Sequence, residues 1–237
     1  MVLPELSWQF LYGRLAWAVV LAALVASAWP SAWRLSRRAL GAIVGASSVL
    51  MALPGAASGA WHLALAFQYP SGLLLGLSVA GLLRRWRGTH RADGALLPVP
   101  AAAVLAVTGA VLYLDAFGLL TRGWYYAGFG PNGAPLVAVL AAIACAAAIV
   151  QDRQREQAAA LLGAVTLFSL ARLPSGNLWD AVLDPLLWAW AIATLLVAAV
   201  RRLLRAMRTH APAEAPARTP EPALQAAGID PYSPIKE

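Results

Sequence analysis

Charge is scarce in this chain. Asp, Glu, Lys and Arg make up 12% of its 237 residues, against about 25% in soluble domains. The mean hydropathy is +0.65. Both values exclude an ordinary water-soluble globule and make lipid the solvent for most of the chain. Cysteine is nearly missing as well. Cys145 stands alone, which excludes an internal disulfide and a thiolate metal cluster. Its Ala-Cys-Ala setting reads as an inert buried thiol. Lysine is reduced to Lys236 among 18 basic residues, so the last apolar run has no amine to hold a retinal Schiff base. Histidine is limited to His62, His90 and His210. They fall on different sides of the expected membrane or outside its core, so haem ligation between facing helices is not expected. No zinc-type spacing occurs either. No metal and no cofactor are expected.

What the chain has in quantity is apolar runs punctuated by arginine. The net charge of +7 raises the question of nucleic acid, but the arginines sit in short groups at run ends, which is topology information. No nucleic-acid partner is expected. After a stub at 1–9, the runs predict spans at roughly 10–29, 39–53, 61–83, 95–114, 135–150, 158–173 and 185–200. Pro54, Gly55 and Gly59 mark the turn between the second and third spans, and a kink is expected near Pro70. The first span has the apolar core and the Ala26-Ser27-Ala28 small residues of a signal peptide. Its basic flank, however, follows the run rather than preceding it, so a retained span is the preferred reading. The fold class is therefore an all-α, polytopic membrane bundle over 10–208. Residues 209–237, with six prolines, read as a disordered tail. Asp230-Pro231-Tyr232-Ser233-Pro234-Ile235 within it could form a short docking motif, and plain solvated chain is the preferred reading.

Thirteen arginines follow the first, third, fifth and seventh spans, while Arg14, Arg122 and Arg172 lie toward the opposite face. The positive-inside rule places the N-terminus outside, the C-terminus in the cytoplasm and the chain in the inner (cytoplasmic) membrane. Trp8, Trp29, Trp33, Trp61, Trp86, Trp124 and Trp179 fall near span ends, as interfacial anchors do.

Two polar turns are expected outside. The longer runs from Asp115 to Pro135 and contains Arg122, Trp124, Tyr125, Tyr126 and Phe129. The shorter runs from Pro174 to Asp180 and contains Asn177, with Asp184 following it on the same face. Asp115, Arg122, Arg172 and Asp180 are the candidate substrate-binding charges of an outer vestibule, with Trp124, Tyr125 and Tyr126 as stacking surfaces. Each has a plainer role beside it. Asp184-Pro185 has the form of an N-cap followed by proline at the first helical position. Asp180 suits a cap, Arg172 can snorkel, and the aromatics suit an interfacial belt. Asp115 is the least explained, because an acid is unfavourable at a helix C-terminus. No catalytic residue stands out.

Three small-residue patterns recur: Gly41/Gly45, Gly55/Gly59 and Gly72/Gly76. The middle one belongs to the turn, and the other two are packing seams within the chain or against other membrane subunits. The leading functional expectation is a non-enzymatic scaffold or accessory subunit of a membrane assembly. The alternatives are a transporter or channel with a charged outer mouth, and a membrane enzyme using His62 and the outer acids on a lipid-linked or glycan substrate.

Overall fold

The computed structural model describes residues 4–29, 35–88 and 95–209. Trp33, His90, His210 and the expected tail beyond Thr209 lie outside these residues. The described residues form ten α-helices and one short 3-10 turn, an all-α fold. In order they are α1 (Leu6–Ala28), α2 (Arg37–Ala52), α3 (Gly59–Phe67), α4 (Gly72–Arg87), α5 (Val99–Ala116), α6 (Trp124–Ala127), α7 (Gly133–Val150), α8 (Arg155–Ala171), α9 (Leu178–Val182) and α10 (Pro185–Thr209). The 3-10 turn Gly55–Ala57 joins α2 to α3.

Among the described residues four helices are long and apolar enough to cross a bilayer: α1, α5, α7 and Pro185–Met207 of α10. The chain is thus a multi-pass membrane protein in contact with lipid. Helices α2, α4 and α8 have 16, 16 and 17 residues, or roughly 24–26 Å of rise, a little under the ~30 Å hydrocarbon core. The final helix does not stop at 200 but runs through Arg201, Arg202 and Arg205. Leucine, alanine and arginine are all strong helix formers, so the helix continues past the end of its apolar stretch.

Helix α1 packs against α2 and α4, α4 packs against α8, and α8 against α7. The α4–α8 contact is a small-residue seam. A Cβ on Gly72 would lie 2.8 Å from Ala164 Cα, and one on Gly76 would lie 2.7 Å from Ala160 Cβ. The two backbones meet where side chains are missing, which maximises dispersion contact in a setting where lipid removes the usual hydrophobic drive. At the far end of this pair Arg84 forms an ion pair with Glu156. The cation sits in the last turn of α4 and the anion in the first turn of α8, so both helix dipoles favour their charges. Helix α5 meets α10 through Ala102, Ala106 and Ala191, and the Trp188 indole donates to the Ala106 carbonyl at 3.0 Å.

The third expected span, 61–83, is two helices rather than one kinked one. Phe67 ends α3, Gln68 adopts φ +60° and ψ −128°, and Ser71 caps α4 by accepting from Leu74 N at 3.0 Å. A break frees backbone groups, and in an apolar setting each must find a partner. Tyr12 Oη donates to the Pro70 carbonyl at 2.7 Å, and Trp17 Nε1 to the Gln68 carbonyl at 3.1 Å. The Ser71 N–H donates to Asp184 Oδ2 at 2.8 Å. The second oxygen of Asp184 accepts from Leu186 N at 2.8 Å and Leu187 N at 2.9 Å. One buried carboxylate thus caps α10 and satisfies the entry to α4 at the same time.

Candidate functional site

The two polar turns meet. Asp115, on the last turn of α5, is 4% exposed. Its Oδ1 accepts from the backbone N–H groups of Arg122 and Gly123, each at 3.0 Å, and its Oδ2 from Tyr125 N at 2.9 Å. Gly123 takes φ +72°, a left-handed conformation that glycine reaches without strain. That curl turns successive N–H groups toward one anion, a nest built around a side chain of the same chain. It also answers the objection to an acid at this helix end, because the donors come from the loop, not from α5.

Beyond Tyr125 the network crosses to the second turn. Tyr125 Oη donates to Asp180 at 3.0 and 3.2 Å, and Ser175 Oγ donates to the same carboxylate. Asn177, fully buried, donates from Nδ2 to the Tyr125 carbonyl at 3.1 Å and accepts from Trp179 N at 3.0 Å. Leu178 N donates to the Gly128 carbonyl at 3.0 Å, and Trp179 Nε1 to the Trp124 carbonyl at 2.9 Å. Gly128 is required by this closure, since a Cβ there would lie 1.8 Å from Asn177 Oδ1. Burial pushes the Asp180 carboxyl above its ordinary range; the bonds from Ser175 and Tyr125 oppose this and nearby Asp184 adds to it. Burial, and next the Asp180 charge, push the Tyr125 phenol upward too.

Of the sequence-predicted residues, Asp115, Tyr125 and Asp180 therefore belong to one hydrogen-bonded system. Trp124 and Tyr126 border it at 50% and 62% exposure, and the Tyr126 ring stands edge-on to Tyr125 at 5.7 Å. The guanidinium groups are not drawn in. Arg122 contributes its backbone N–H while its side chain is exposed, and Arg172 lies 4.9 Å over the Phe168 ring. Among the described residues no carboxylate of the two polar turns pairs with an arginine; the ion pair Arg84–Glu156 is at the opposite end of α4. His62 is hydrogen-bonded to the Ala56 carbonyl at 2.8 Å, not to an acid. Sequence reading missed Asn177 as the keystone of the closure, and missed Tyr12, Trp17 and Ser71 at the helix break.

The open space lies elsewhere. A cavity of about 610 Å³ runs between α1, α4 and α10, and another of about 860 Å³ between α4, α5, α7 and α8. Both are mainly apolar, and among the described residues their charged lining is arginine: Arg84 and Arg85 in the first, Arg153 in the second. Comparison of the chain with protein-family models, curated proteins and solved structures finds no match.

Proposed function

We propose that this chain is a non-enzymatic scaffold or accessory subunit of an inner-membrane assembly, crossing the bilayer seven times with its N-terminus outside and its C-terminus in the cytoplasm. The crossings are α1, α2, the α3–α4 pair, α5, α7, α8 and α10. The observation that carries the reading is a contrast between two seams of identical pattern. Gly72 and Gly76 are filled by Ala164 and Ala160, whereas Gly41 and Gly45 on α2 have nothing within 4 Å of a built Cβ. Around them Ala42, Ala46 and Ser48 are also exposed. Small residues stabilise a membrane helix only when another helix closes on them, and among the described residues no helix of this chain does. The outer polar network supports the same reading, because its carboxylates are occupied in holding two turns together.

The test is purification of the full chain in mild detergent, as wild type and as Gly45→Leu. A companion chain, or a second copy, that co-elutes with wild type and is lost from the variant supports the proposal. A wild type that runs alone and monomeric, or a companion unaffected by the substitution, overturns it.

The broken α3–α4 helix favours a transporter as the second reading, since discontinuous helices build midplane sites in transporters. Against it, the freed carbonyls of Gln68 and Pro70 and the Ser71 N–H already have side-chain partners from α1 and the head of α10. Transport of a solute dependent on Asp184 in reconstituted vesicles would establish it.

A further inference from the structure

The cleft between α1, α4 and α10 has two properties that belong together. Its walls are apolar, with Leu24, Leu77, Leu186 and Trp190 among them, and among the described residues its charged lining is Arg84 and Arg85 at one end. Its volume, about 610 Å³, lies within the range that encloses most of a small ligand's surface. Leu24 is 54% exposed, so the cleft is open along the α1 side, where the surroundings of a membrane helix are acyl chains.

The arginine end is also the end at interfacial depth. Trp86, next in sequence to Arg85, is half-exposed. Arg37 donates to the Trp86 carbonyl at 3.0 Å, and its guanidinium lies 6.0 Å from that ring. A tryptophan with arginines around it marks the headgroup level of a bilayer. Arg84 is held by Glu156. Among the described residues Arg85 forms no ion pair and no acid lines the cleft. An occupant must therefore be apolar along most of its length and negative at the end beside Arg85.

We propose that this cleft binds one anionic phospholipid, with an acyl chain along Leu24, Leu77 and Trp190 and its phosphate at Arg85. Basic pockets between membrane helices at headgroup level are recognised sites for acidic lipid headgroups, and the bidentate guanidinium fork suits a phosphate. The site is independent of the α2 seam and stands or falls separately from the subunit reading.

The experiment is native mass spectrometry of the full chain in detergent, titrated with phosphatidylglycerol and, separately, with phosphatidylcholine of the same chains. Wild type is expected to show one saturable phosphatidylglycerol site favoured over phosphatidylcholine. Arg85→Gln should lower phosphatidylglycerol affinity about fivefold, the effect of one arginine near a membrane surface. Arg87→Gln, in the same helical turn but outside the cleft, should leave it unchanged. Ala189→Trp, at an exposed wall position, should reduce binding of both lipids by filling the chain's path. Equal binding of the two lipids by wild type, or non-saturating binding, overturns the proposal. So does an Arg87→Gln effect as large as that of Arg85→Gln, or an Ala189→Trp variant that binds as wild type does.

Discussion

Replacing Asp184 with alanine tests the double role of one carboxylate. The side chain is 6% exposed and accepts three backbone N–H groups, two from the first turn of α10 and one from Ser71 at the head of α4. Losing an N-cap costs about 1 kcal/mol. Leaving the Ser71 N–H buried without an acceptor costs about 1–3 kcal/mol more. The alanine variant should therefore lose roughly 2–4 kcal/mol in all. Asparagine separates the two contributions. It caps a helix as well as aspartate does, but one of its arms is now an amide donor facing the Ser71 donor. Asp184→Asn should keep the α10 cap and lose the α4 contact, falling between wild type and alanine. Denaturation of the purified protein in micelles gives the order, and hydrogen exchange at residues 71–74 locates the loss. Both variants should speed exchange there, whereas only alanine should speed it at 186–188. An alanine variant as stable as wild type, or unchanged exchange at 71–74, refutes the bridging role.

The two glycine seams should respond oppositely. Gly76→Leu should destabilise the α4–α8 pair by about 1–3 kcal/mol through overpacking, while Gly45→Ala, which meets nothing within 4 Å among the described residues, should hold or raise monomer stability in denaturation of the isolated protein. Gly128→Ala should open the closure between the polar turns, because its Cβ needs the space of Asn177 Oδ1; faster exchange at 122–130 with little change at α1 is the expected pattern. Asp180 carries a raised carboxyl, so its ionised form costs stability at neutral pH and that cost disappears as pH falls through the folded value toward the ordinary one near ~3.9. The melting temperature of Asp180→Asn minus that of wild type should therefore be most positive, or least negative, at neutral pH and decline on acidification; a difference that grows as pH falls would contradict the assignment.

Much of the architecture was legible because lipid solvent imposes a coarse rule: long apolar runs become helices, and arginines gather at their ends. The finer features depend on residues far apart in sequence. Pro70 announces an interruption, and Ser71 three residues before Leu74 has the spacing of an N-cap, so a helix restart there could have been read. That the spare Ser71 N–H is satisfied from position 184 could not. Asp115 stood out because an acid sits badly at a helix C-terminus, and that physics holds; what the spacing did not reveal is that Gly123 folds the loop's own N–H groups onto it. Tyr125 reads as an aromatic and Asp180 as a charge of one vestibule; the structure joins them directly, phenol to carboxylate, and braces the closure with Asn177, whose type is ordinary in a turn and whose burial no local pattern signals. Gly41/Gly45 and Gly72/Gly76 are spelled alike, and only the packing of α8 distinguishes a filled seam from an open one.

The most direct test of the account is the side of the membrane on which each chain end emerges. A periplasm-active reporter and a cytoplasm-active reporter fused in turn to the N- and C-terminus should show the N-terminus outside and the C-terminus inside. Both ends on one side would mean an even number of crossings and would contradict the proposed seven-span bundle and the proposed outer placement of its polar turns.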